Sequence, residues 1–385
     1  MLSILCCVIF VLIPIVGIPL SIIGYIYDKN RNSIVYSLIL GTILGIFAYN
    51  FIPLKSYDLY RHHLVFWQLS DTSIHYFIKN INNFDLELFP MIYTYIISFF
   101  HNVNLLQFFI VTLGYTIIFG IIYDYRKKTN ISTFAFVIIS LISFFGFNAL
   151  NFISGLWFYI AMLVFLLALY LDYYCNYNKK VCYIMYVGTL FMHTSMFFVF
   201  LILLVYKLCG NKLNLRSLFI CVLIFIVPVY LLRILSSIFN FSFLNNINWL
   251  LNIYFDNNNV MFRFYSGTAF VIEIIKLFLS LLFIYMNRKN EKLKNVNGLI
   301  ILITVCTIIM MFNSIVMIRF IMLIQLLVIP NLIEYFSKIK RNNLWILIGL
   351  VFVMLFFMLF FYNIMSQQNF GDITRVFTRS LLSMF

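Results

Sequence analysis

The sequence predicts an all-α polytopic membrane protein, and three observations carry that prediction. Of its 385 residues, 64% are hydrophobic and 10% charged, with a mean hydropathy of +1.02, whereas soluble domains carry roughly 25% charged residues. Apolar runs of about 20 residues, the length that crosses about 30 Å of hydrocarbon, recur along the chain. Lysine and arginine fall mainly in short segments between those runs, where they act as topology determinants. The expectation is a single membrane domain over residues 1–385. It has about 10–12 transmembrane helices, judged on span length, with a re-entrant hairpin and short outer loops near 53–104 and 239–266.

Taken in order, the apolar runs place spans near 2–27, 33–52, 105–123, 131–149 and 155–173, then near 218–238, 267–286, 298–317, 320–337 and 344–362. The first run has no basic segment ahead of it and no clear small-residue cleavage site, so it reads as a retained helix. Basic residues mark the connections: Lys29/Arg31, Arg126/Lys127/Lys128, Lys179/Lys180, Lys207/Lys212/Arg216, Arg288/Lys289/Lys292/Lys294 and Lys338/Lys340/Arg341. Placing all of them in the cytoplasm turns 53–85, 239–266 and the C-terminal tail outward. It also puts Lys180 and Lys207 on one side of a single apolar stretch, 181–206. A hairpin of two short helices turning at His193-Thr194-Ser195 meets that demand better than one span. Each arm would reach roughly 18 Å, so the hairpin would be re-entrant or water-lined. The stretch 86–101, with Pro90 near its start, reads as a partial or interfacial outer helix.

The net charge of +14 is scattered over these loops and gives no continuous basic face, which argues against nucleic-acid binding. The seven cysteines form no C-x-x-C pair and lie in or beside apolar runs, as small apolar filler. No phosphate-loop, H-E-x-x-H or G-x-S-x-G pattern is present. No cytoplasmic loop is long enough to hold a nucleotide-sugar transferase domain.

Against this apolar background, Tyr57-Asp58-Leu59-Tyr60-Arg61-His62-His63 concentrates an acid, an arginine, two histidines and two tyrosines just past a span. Ionisable groups at the edge of hydrocarbon mark a candidate site; the alternative is a solvated loop with interfacial tyrosines. Three further groups join it on the outer side: His193 at the hairpin apex, Arg263 at the end of the outer loop, and Arg319 deep within an apolar run. A central arginine costs about 2.5–3.5 kcal/mol to insert, so Arg319 either snorkels to the interface or grips an anion bidentately. His193 is either a packing residue or a phosphate ligand or proton carrier. Glu273 and Lys276, three residues apart on one helix, should neutralise each other. Arg233 reads as an interface anchor.

At these residues the sequence resembles the Wzy-type polymerases of O-antigen and exopolysaccharide repeat units, the EpsG-like group in particular. The shared patterns are Asp58-Leu59-Tyr60-Arg61, the Asn151–Ala161 stretch NFISGLWFYIA, His193-Thr194-Ser195 and Arg319-Phe320. One departure stands out: family members often carry an arginine where Trp157 stands in Gly155-Leu156-Trp157-Phe158. The charge would then have to come from Arg263 or Arg61.

The resemblance implies a glycosyltransferase that joins undecaprenyl-pyrophosphate-linked oligosaccharides at the outer face of the bacterial cytoplasmic membrane. Asp58 and His193 would be catalytic. Tyr60, Arg61, His62, Arg263 and Arg319 would bind substrate. It implies membrane lipid and the lipid-linked oligosaccharide as partners, with a flippase and a chain-length regulator beside them, and no cofactor or metal. Two alternatives stay open: a lipid-linked oligosaccharide flippase, and a polysaccharide ligase or a related lipid-linked sugar enzyme.

Overall fold

The computed structural model describes residues 2–28, 33–55, 57–79, 87–129, 131–146, 149–220, 223, 267–309 and 314–337. The proposed span at 344–362, nearly all of 218–238, the loop at 239–266, Arg233 and Arg263 lie outside the described residues. No β-strand occurs among the described residues, and four helical stretches are long and apolar enough to cross a membrane: Asn104–Lys128, Leu156–Tyr173, Glu291–Ile309 and Met317–Ser337. The protein is an all-α polytopic membrane protein. Its packing separates two compact units, one of Met1–Met196 with the chain from Phe336 onward and one of Phe197–Tyr335.

In the first unit the chain opens with α1 (Leu2–Leu12) and α2 (Pro14–Tyr27), not with the single span expected over 2–27. Ile13 leaves helical geometry, and Pro14 opens the next helix at a position where its missing N–H costs nothing. The two helices fold back so closely that a Cβ at Gly17 would collide with the Phe10 backbone. Hydropathy alone cannot register such a turn, because every residue through it is apolar.

α3 (Ser33–Tyr49) packs along α7 (Asn104–Lys128). Gly41 and Gly45, one turn apart, lie against the Thr112 and Phe108 carbonyls, where a Cβ would collide. This is the small-xxx-small arrangement that lets membrane helices approach backbone to backbone. Gly45→Val should therefore lower the melting temperature and the detergent-stable yield. Overpacking costs about 1–3 kcal/mol; a Cβ here meets the Thr112 hydroxyl first and then the Phe108 backbone carbonyl, which cannot swing away. Val at the lipid-facing Leu113, 49% exposed, should leave both unchanged in the same assay.

The two ends of α7 mark the two ends of this unit. Near its start, Gln107 accepts a hydrogen bond from His63 at 3.1 Å. At its end, Arg126 donates to the Ile26 carbonyl at 2.7 Å and covers the Phe136 ring at 4.0 Å. Lys128 pairs with Asp124 at 3.0 Å, and Asp124 accepts from Tyr170 at 2.6 Å. From Gln107 to Arg126 the helix advances about 28 Å, close to the thickness of the hydrocarbon core. α10 (Leu156–Tyr173) runs parallel to it, since Tyr170, near its end, meets Asp124, near the end of α7. α11 (Lys179–Met192) returns toward the Gln107 end, its middle held to the end of α10 by the bond from Tyr186 to Asp172 at 3.1 Å. Between α7 and α10 lie α8 (Thr133–Gly146) and α9 (Ala149–Ser154).

The stretch expected as an outer loop is largely helical: α4 (Asp58–Ser70), α5 (Ile74–Lys79) and α6 (Leu88–Ser98). Leu69, Phe77, Met91 and Tyr95 form a small core among them, with Val65 against it. Phe77 and Tyr95 stack at 4.1 Å. The short helix expected over 86–101 is α6.

In the second unit, α12 (Met196–Leu208) meets α14 (Glu291–Ile309), where a Cβ at Gly298 would collide with the Tyr206 hydroxyl. α13 (Gly267–Met286) runs in the same direction as α15 (Ser314–Leu327) and α16 (Ile329–Ser337). Gln325 donates to Glu273 at 3.4 Å, and Asn290 to Glu334 at 3.1 Å. The run expected as one span over 320–337 is one helical stretch, Met317–Ser337, with a single-residue irregularity at Val328 just before Pro330, which has no N–H to donate to the preceding turn. Glu273 and Lys276 pair at 2.8 Å with 3% and 4% of their side chains exposed, as their spacing predicts.

Candidate functional site

The ionisable cluster becomes the first turns of α4, and the helix sorts it into two faces. Leu59, His62, Phe66 and Leu69 are buried, at the spacing of one helical stripe. Asp58 and Arg61 stand together on another face, half-exposed or more, and pair at 3.4 Å. An exposed pair one turn apart contributes little to stability, so both groups stay available to a ligand. Asp58 also sits in the first turn, where the helix dipole favours negative charge. Tyr60 is half-buried.

His62 is 4% exposed and meets Trp157 edge to face, with ring centroids 5.7 Å apart. Burial lowers its pKa to about 4; the Asp58 carboxylate opposes that shift, and Arg61 and His63 add to it. Burial also lowers the pKa of His63, against the bond to Gln107. Both rings are therefore neutral at pH 7. In the unfolded chain a histidine binds its proton near pH 6.5. The stabilisation from keeping His62 neutral is thus full above about pH 6.5 and lost as pH falls toward about 4, on the order of 3 kcal/mol. Melting temperature should fall through that window in the wild type and fall less in His62→Phe.

His193 ends α11 in extended geometry, and α12 begins at Met196, so the helix breaks at His193-Thr194-Ser195. The Ser195 backbone N–H lies 3.1 Å from His193 Nδ1, and its hydroxyl lies 2.7 Å from the same nitrogen. A backbone N–H can only donate, so Nδ1 accepts and the proton of the neutral ring sits on Nε2. The Thr194 N–H and hydroxyl both reach Glu87 Oε1, at 3.3 and 3.4 Å. Glu87 immediately precedes α6, so it fastens the turn to the α4–α6 cap.

α10 brings the two histidines to one end of the unit. Trp157 takes His62, and its neighbour Phe158 takes His193 edge to face at 5.3 Å. That end is the Gln107 end of α7, away from Arg126, Lys127 and Lys128. Asp58, Arg61, His62 and His193 are thus gathered in one unit. Arg319 belongs to the other. It is half-buried in the second turn of α15, about 9 Å along the helix from Gln325. Glu273, the partner of Gln325, lies the same distance from Gly267. Arg319 therefore stands near the start of α13, at the end of its unit away from Arg288–Lys294, and not at mid-depth. Arg263 lies outside the described residues.

Three participants were not read from sequence: Glu87, Tyr93 and Gln107. Glu87 carried a signal, an acid directly before an apolar helix. The other two become visible only through the packing of α6 and α7. Among the described residues, no three His, Cys, Asp or Glu side chains gather as a metal site. Comparisons with protein-family models, curated proteins and solved structures find no match to this chain.

Proposed function

We propose that this protein is a membrane glycosyltransferase of the cell envelope. It would polymerise undecaprenyl-pyrophosphate-linked oligosaccharide repeat units at the outer face of the bacterial cytoplasmic membrane. The observation that carries this reading is the convergence of α4 and the His193 turn on Trp157 and Phe158, at the end of the unit away from the basic tail of α7. Basic ends favour the cytoplasm, which turns this polar end outward.

The chemistry follows from the groups present. A hydroxyl of the acceptor sugar attacks the anomeric carbon of the donor; a new C–O bond forms as the bond to the pyrophosphate oxygen breaks. Asp58 takes the hydroxyl proton as general base. Arg61, paired with Asp58 but exposed, would hold the pyrophosphate at the membrane surface. The Nε2–H of His193 donates to the oxygen on which charge develops. This assigns His193 to leaving-group stabilisation rather than to proton abstraction. The lipid-pyrophosphate donor is already activated, so the reaction draws on no nucleotide.

Purified protein in lipid nanodiscs, given a synthetic polyprenyl-pyrophosphate oligosaccharide, should yield a ladder of products spaced by one repeat unit. Substrate recovered unchanged from protein that remains folded would contradict the reading. A second reading, a lipid-linked oligosaccharide flippase, is favoured by one observation: the buried Glu273–Lys276 pair with Gln325, because transporters place polar groups at mid-depth. Translocation of a fluorescent lipid-linked oligosaccharide across the same bilayer, without a ladder, would select it.

A further inference from the structure

His62 and Trp157 each bury a polar nitrogen that finds no partner among the described residues: Nδ1 of the imidazole and Nε1 of the indole. His62 is 4% exposed and Trp157 2%. An unpaired buried donor or acceptor costs about 1–3 kcal/mol, and native structures rarely leave one without protein or water beside it. Here two stand on touching rings at the polar end of the unit. The rings that surround Trp157 continue this cluster outward. Phe89 lies 6.3 Å and Tyr93 5.5 Å from it, both edge to face, and both are half-buried.

We propose that Trp157 and His62 form a subsite for a neutral sugar, binding its hydroxyls through the two unpaired nitrogens with its apolar face against Phe89 and Tyr93. This rests on the glycosyltransferase reading and names what part of the substrate this corner takes. The chemistry selects a hydroxyl over an anion. The indole N–H only donates. A neutral imidazole presents an acceptor at one nitrogen and a donor at the other. A hydroxyl can serve both a donor and an acceptor. A phosphate oxygen can only accept, and its charge would lie among the aromatic rings of Phe89, Tyr93 and His62. Trp157 thus marks a sugar-binding corner, and the pyrophosphate falls to Arg61 on the exposed face of α4.

The test uses full-length protein in nanodiscs with Trp67, Trp249 and Trp345 replaced by Phe, which leaves Trp157 as the single tryptophan. Methyl glycosides of the common hexoses and of N-acetylglucosamine, and separately inorganic pyrophosphate, are titrated against its emission. The expected result is a saturable change with at least one glycoside and none with pyrophosphate. His62→Phe should weaken that binding about tenfold or more, while Leu113→Val, on the exposed face of α7, should not. No response to any glycoside up to its solubility limit overturns the subsite, and the two nitrogens then hold structural water only. A response to pyrophosphate instead overturns it too. Elongation of a lipid-linked substrate by the same preparation is scored separately. Glycoside binding without elongation supports the sugar subsite and removes the polymerase reading, whereas elongation without glycoside binding removes the subsite alone.

Discussion

Replacing His193 by alanine should lower polymerisation by about 10²–10³-fold, the usual loss when one donor to a developing charge is removed. Thermal stability should change little, because the imidazole closes a turn whose backbone is also held by Glu87. Ser195→Ala is the informative companion. It deletes the hydroxyl contact to Nδ1 but keeps the backbone N–H on the same nitrogen, so the proton stays on Nε2. Its activity should remain within about tenfold of wild type, as expected for loss of one neutral hydrogen bond. Rates measured on a lipid-linked oligosaccharide in nanodiscs would separate the two variants. If Ser195→Ala were as damaging as His193→Ala, His193 would be positioned by the hydroxyl alone and the tautomer argument would fail.

The second large effect concerns the base. Asp58→Asn keeps the size and the helix-start position of the side chain but removes its proton affinity. Elongation should fall by about 10²–10⁴-fold, the range that general-base catalysis contributes. Glu87→Gln tests the competing carboxylate, which is half-buried and occupied by Thr194. As a positioning residue for the His193 turn, its loss should cost far less and should raise KM along with lowering kcat. The split between kcat and KM distinguishes them: Asp58→Asn should lose kcat with KM little changed, whereas Glu87→Gln should move both. The reverse pattern would transfer the base role to Glu87.

Much of the fold is legible in the sequence where hydrophobic length alone decides it. α7 and α10 are long, apolar and bounded by polar residues, and the Glu273–Lys276 pair follows from spacing. The break at His193-Thr194-Ser195 followed from a charge argument, because Lys180 and Lys207 flank an apolar stretch. The fold-back at Ile13–Pro14 was not legible, since a turn inside an apolar run leaves the hydropathy unchanged. α4 is not legible as a helix, because the charged Asp58, Arg61 and neighbouring His63 interrupt the stripe of Leu59, His62, Phe66 and Leu69.

The candidate site was legible only in part. Its residue types stand out against an apolar background, so Asp58, Arg61, His62 and His193 could be picked out. Their division of labour could not, because it depends on which face of α4 each residue occupies. That His62 turns inward to Trp157 while Arg61 turns outward is a consequence of packing. Trp157 itself drew notice as a departure from a family pattern, and the structure makes it the ring on which the His62 side of the site is built.

The most direct test of the central claim is the surface polysaccharide of a strain lacking this protein, resolved by length. The account predicts that single repeat units still reach the cell surface and that the ladder of longer chains disappears, to return with the wild-type copy but not with His193→Ala. Repeat units trapped on the cytoplasmic side would contradict it in favour of a flippase. An unchanged ladder would contradict any role in polymerisation.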